Sequence, residues 1–175
     1  RRIGEARAEV ALDALRSLGV PASQVHWLGM RDQEIPGNGS PEFAHAAQQV
    51  SEIIRDINPA LICIPHELDF HVVHIHTNRL VAAALKQERP LGVREILRYP
   101  VWMLHSLRTV DVFRRMKGTP CKIDIGLQLD MKKTAIDSYM LSKMMIDGVE
   151  KTIVGELPAL FISYFKRPYE LYFKG

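Results

Sequence analysis

The sequence predicts an α/β fold, a mostly parallel sheet flanked by helices. Three observations carry that expectation. Apolar runs of strand length alternate with longer segments of helical periodicity, and the connections between them are short. The clearest apolar run, Ala60 to Ile64, stops at Pro65 and passes through a polar loop into a helical pattern. Such alternation builds sheets whose faces are covered by the connecting helices.

The elements follow in order. Ile3, Ala6, Val10, Ala11, Ala14 and Leu18 recur at helical spacing, and Gly19 ends that helix. The chain thus opens on a helix where an α/β domain more usually has a strand. The expectation is a single domain over residues 1–175 that is N-terminally incomplete and lacks its first strand. Val25 to Leu28 reads as a short strand, followed by a Gly-, Pro- and Asn-rich loop to Gly39. Ser40-Pro41-Glu42 has the form of a helix start, with Ser40 as N-cap, and the helix closes near Asn58-Pro59. Ala60–Ile64 is expected as a buried central strand, and His74–Gln87 as the helix after it. Further strands are expected within Glu95–Met103, at Val110–Phe113 and at Lys122–Ile125. A helix then carries Met131, Ala135, Ile136, Tyr139 and Met140 on one face, with Lys132, Lys133 and Lys143 as its solvated side. After Gly148 comes a helical or irregular segment, and Tyr169–Phe173 is extended.

Composition narrows the function classes. Apolar residues at 47% and charged residues at 25% describe a soluble globular chain. A net charge of +3, from 23 basic and 20 acidic side chains without a basic block, gives no nucleic-acid footprint. No apolar run approaches bilayer length, so no membrane span is expected. Cys63 and Cys121 offer no disulfide framework, which fits a reducing, cytoplasmic setting.

The chemistry concentrates just after Ile64. His66, Glu67, Asp69, His71, His74 and His76 fall within eleven residues, at a strand's carboxyl end, where open α/β sheets place their ligands. His71 and His74 are three apart at a helix start and can share a face. One imidazole can bind a cation while the other steadies charge developing on a substrate. The bland alternative is a histidine-rich loop without metal, and H-x-x-H alone does not decide between them. His66 is expected as a solvated loop residue and His76 as a helix surface residue. Asp32 and Glu34 stand at the end of the 25–28 segment, as substrate contacts or as ordinary loop acids.

Four segments, in order, resemble the LmbE-like, phosphatidylinositol-glycan class L (PIG-L) family of zinc-dependent de-N-acetylases. They are Arg2-Ile3-Gly4-Glu5-Ala6 with Leu18-Gly19-Val20, then Trp27-Leu28-Gly29-Met30-Arg31-Asp32, then Asp69-Phe70-His71-Val72-Val73-His74, and Leu129-Asp130-Met131-Lys132 through Tyr139. The third is similar to D-x-H-x-D-H, and the last to L-D-x-K-x-x-A-x-x-x-Y. The resemblance implies a Rossmann-like sheet, a zinc cofactor and hydrolysis of an N-acetyl group from an N-acetylated amino sugar or related small conjugate. By position it implies His74 as a metal ligand and His71 as the residue that stabilises the oxyanion. It implies Arg2 and Asp32 as contacts to the substrate.

Two departures bear on that reading. The family's A-H-P-D-D-E segment, which supplies further ligands and the general base, has no counterpart here. Val73 stands where the family has the aspartate that orients the first histidine, and Asp69 or Glu67 would have to substitute. The competing reading is therefore a catalytically inactive relative that binds a small polar ligand or a protein partner. A free sheet edge where the first strand would pair would invite homo-oligomers. A nucleotide-binding domain is discounted, because Gly37-Asn38-Gly39 follows a loop and lacks a third glycine.

Overall fold

The computed structural model describes residues 3–30, 35–87, 92–105, 116, 118–146, 149–155 and 157–175. Two compact units emerge, Arg1–Trp27 with Asp124–Glu170, and Leu28–Ile123 with Leu171–Gly175.

The second unit holds the sheet. Ser40 caps α2 (Pro41–Ile57), its hydroxyl accepting from Phe43 N–H at 3.1 Å. Phe43, Ala46, Ala47, Val50 and Ile54 recur at helical spacing along α2 and are buried against Leu80 and Ala84. These last two belong to α3 (Val72–Gln87), and Leu28, Met30 and Ile62 close the same core. Asn58 ends α2 in the left-handed region at φ 46°, a conformation asparagine tolerates.

β1 (Leu61–Pro65) pairs in parallel with β2 (Glu95–Tyr99) across α3, from Leu61 opposite Glu95 to Pro65 opposite Tyr99. With β3 (Thr119–Asp124) and β6 (Tyr169–Lys174), the strand order is β1-β2-β6-β3. The sheet is mixed rather than mostly parallel, since β6 runs antiparallel to β2 with Arg98 opposite Phe173. The β1–β2 crossover has the expected parallel sense. Strand direction is set by where the chain returns, and no local pattern records that for β6. β1 is likewise an edge strand of this sheet, not a central one, with Leu61 46% exposed and only Ile64 and Pro65 buried.

Val25–Leu28 is not a strand. Val25 is extended, at φ −102° and ψ 119°, but the segment joins no ladder among the described residues, and Trp27 is exposed. β propensity becomes a strand only where a neighbour accepts the backbone bonds. Pro100 ends β2, and Trp102–His105 form a short 3-10 turn where the sequence suggested more strand. The expected Val110–Phe113 strand lies outside the described residues.

The first unit packs α1 (Ile3–Ser17) against α4 (Leu129–Leu141). β4 (Lys143–Ile146) and β5 (Val149–Thr152) make an antiparallel hairpin; β5 opens the segment after Gly148 expected to be helical or irregular, and β4 takes in Lys143, expected on the solvated side of the preceding helix, which ends at Leu141. Arg7 Nε donates to the Ile153 carbonyl at 3.1 Å, tying α1 to the end of that hairpin. The short helix α5 (Ala159–Phe165) buries Phe161. On α4 Ala135, Ile136, Tyr139 and Met140 share a face as expected, and the first turn departs from the expectation. Met131 is 46% exposed, whereas Lys132 is only 15% exposed and pairs with Glu170 at 2.5 Å. One position is about 100° of helical turn, so the Lys132, Ala135, Ile136, Tyr139 and Met140 stripe faces inward and Met131 falls beside it.

Candidate functional site

Everything at the end of β1 is fixed by hydrogen bonds that reach across sequence. The His66 N–H donates to the Tyr99 carbonyl at 2.9 Å, extending the β1–β2 ladder by one residue. The Asp69 N–H then returns to the His66 carbonyl at 3.0 Å, closing a tight turn. Asn78 on α3 donates through Nδ2 to the Pro65 carbonyl at 2.8 Å, which anchors the helix to the strand end. The helix starts immediately after, Ile75 N–H donating to the His71 carbonyl at 3.1 Å.

At the centre is Asp69, 1% exposed. Its Oδ1 accepts from Val101 N–H at 3.2 Å and from Met103 N–H at 2.9 Å. Its Oδ2 meets Nδ1 of His74 in a short hydrogen bond. Burial opposes ionisation of this carboxyl most strongly. The His74 hydrogen bond, the Met103 and Trp102 backbone N–H groups and the charge of His74 together hold it below the ordinary carboxylate range. Asp69 therefore fixes Nδ1 of His74 as the donor and leaves Nε2 for a ligand or a proton, the arrangement by which an outer carboxylate orients a ligand histidine.

His71 lies beside this pair. Its ring centroid is 4.9 Å from that of His74 and 5.9 Å from that of Trp102, onto which it stacks at 16°. Its Nδ1 is buried and has no hydrogen-bond partner among the described residues. Among the described residues no carboxylate is recorded against His71 in place of the one that Val73 lacks. Asp69, the sequence candidate for that substitution, serves His74 instead, and an indole face positions His71.

Two expectations about the neighbouring histidines are overturned. His66 is fully buried, not a solvated loop residue. Its Nδ1 accepts from Leu68 N–H at 3.1 Å, and its ring sits edge-on to Phe173 at 5.4 Å. His76 is half-buried rather than a plain surface residue, and Nδ1 donates to the Ile35 carbonyl at 3.2 Å. Arg2 and Asp32, expected as substrate contacts, lie outside the described residues, as does Glu34. Asn78 and Trp102 carried no functional signal in the sequence, because their partners are distant in the chain.

The class is mixed α/β, with an aspartate–histidine pair and a second histidine at the carboxyl end of β1. The particular family comes from comparison. Residues 1–85, which contain His71 and His74, match the family model PIG-L, GlcNAc-PI de-N-acetylase. The family so matched is one of deacetylase-type hydrolases. No curated protein matches the chain.

The family's metal is not matched by these side chains alone. Among the described residues no group of three or more His, Cys, Asp or Glu is arranged to hold a metal ion. A catalytic zinc takes about three protein ligands, more than the described residues bring together. No described helix is long and apolar enough to cross a membrane.

Proposed function

We propose that this chain carries the histidine half of an N-deacylation site acting on an N-acetylated amino sugar or a related small polar conjugate. The observation behind it is the Asp69–His74 pair with His71 beside it, at a strand end inside the family-matched stretch. In amide hydrolysis, attack on the acyl carbon places negative charge on the carbonyl oxygen, and a fixed N–H donor lowers that barrier. His71 has the donor role, held by the Trp102 face, and His74 is the oriented nitrogen ligand. Arg2 and Asp32 are assigned to the polar groups of the substrate through the family pattern. A second reading, a non-hydrolytic relative that binds the same kind of ligand, is favoured by Val73 and by the incomplete metal group.

Amine release from N-acetylglucosamine derivatives, measured with and without added zinc, separates the two. Release that is lost in both His71→Ala and His74→Ala supports hydrolysis. Ligand binding without release, itself lost in His71→Ala, supports the binding relative. Calorimetric titration of the same protein with zinc should show weak binding. Tight stoichiometric uptake abolished by His74→Ala would overturn the single-ligand assignment.

A further inference from the structure

His66 is fully buried at the end of β1, yet the deacylation reading gives its imidazole no task. Its backbone is held twice, through the N–H donated to the Tyr99 carbonyl and the carbonyl that accepts from Asp69 N–H. Its side chain adds a third tie inside the same turn, as Nδ1 accepts from Leu68 N–H at 3.1 Å. A side-chain acceptor bonded to the backbone two residues on has the form of an Asx turn, here with an imidazole in place of the asparagine amide. The Glu67 carboxylate stands 3.6 Å from the same nitrogen, too far for a hydrogen bond, and faces Arg98 Nε at 3.4 Å. Leu68 N–H therefore sets the tautomer, with Nδ1 bare and the proton on Nε2.

The turn closes on Asp69, and both histidines of the site depend on that residue. Oδ2 takes Nδ1 of His74. Oδ1 takes the N–H groups of Val101 and Met103, and Trp102 between them carries the face on which His71 stacks. We propose that His66 is a positioning residue: the acceptor at its Nδ1, rather than the bulk of its ring, sets the turn from which Asp69 orients His74 and, through Trp102, His71. The proposal rests on the deacylation reading for its effect on turnover alone, because the orientation of His74 is measurable without it.

Two variants separate the acceptor from the ring. His66→Asn keeps an acceptor able to close the same turn and loses the ring, whereas His66→Phe keeps a ring against Phe173 and removes the acceptor. Imidazole NMR of the unmodified protein should show His66 bare at Nδ1 and protonated at Nε2, with the Nδ1 proton of His74 far downfield in its bond to Asp69. His66→Asn should keep that downfield proton. His66→Phe should lose it to exchange with water while far-UV circular dichroism stays unchanged. Amine release should fall about 10- to 100-fold in kcat for His66→Phe, the range for outer partners of a site histidine, with KM unchanged and most of the rate restored in His66→Asn. A retained His74 proton in folded His66→Phe, or its loss in folded His66→Asn, makes His66 a packing residue and overturns the proposal. So does a His66 protonated at Nδ1 in the unmodified protein, a measurement that stands even if neither variant folds. Absence of amine release from the unmodified protein overturns the deacylation reading instead, and the His74 proton in the two variants then decides the role of His66.

Discussion

Removing the Asp69 carboxylate should be the most damaging single change at the strand end. Asp69→Ala strips the acceptor from Val101 N–H and Met103 N–H and leaves His74 Nδ1 without its partner. A buried donor left unsatisfied costs about 1–3 kcal/mol, and losing one partner of a buried charged pair about 3–5 kcal/mol. These penalties overlap, so about 3–5 kcal/mol is expected in total, a large share of the 5–15 kcal/mol that holds a typical domain together. Asp69→Asn keeps one oxygen for the two backbone donors and should cost less, about 1.5–3 kcal/mol for the lost charge-assisted bond. Urea denaturation reads both, as a lower midpoint with an unchanged m value. The same carboxylate gives a pH dependence. Its folded pKa is lowered, so its contribution is present above the unfolded value of about 3.9 and disappears as pH falls through the lower folded value. An Asp69→Ala loss below about 1 kcal/mol, or wild-type acid sensitivity retained in Asp69→Asn, would refute the reasoning.

Two further predictions rest on single contacts. Asn78→Ala removes the donor to the Pro65 carbonyl and should destabilise by about 1–3 kcal/mol, with faster amide exchange at the start of α3 as the local signature. Gly118→Ala should cost about 1–3 kcal/mol in thermal unfolding, because φ there is +103° and an added Cβ would stand 2.4 Å from the Lys174 carbonyl oxygen.

What could be read from the sequence was whatever local chemistry decides. The cap at Ser40, the helix end near Asn58, the strand run before Pro65 and the helix carrying His74 all follow from residues within one or two turns of each other. The coarse site was legible for the same reason, since strand-end histidines announce themselves. What stayed hidden depends on residues far apart. His66 is buried by a phenylalanine from β6, and Asp69 is held by the backbone just after β2. β1 is an edge because β2 and β6 stack on its one paired side. On α4 the error was confined to the first turn, as a lysine whose ammonium finds Glu170 can lie on the inner stripe while its methionine neighbour is exposed. Hydrophobicity alone cannot price an ion pair whose second member is 38 residues away.

The position of β6 has a consequence for how the sheet comes together in time. β6 lies between β2 and β3, and Arg98 reaches the Gly175 carbonyl across 77 residues of sequence. During synthesis β1, α3 and β2 can meet early, because their contacts close over short loops. β3 has no place beside them until residues 169–174 arrive, and that long closure carries an entropic cost before any pairing offsets it. The half-built sheet waits with β2 exposed along one side and with the ring of His66 lacking its aromatic neighbour Phe173. A ribosome stalled before residue 169 would thus present a β1–β2 ribbon with an open backbone edge, the form of this chain most prone to pair with a stranger.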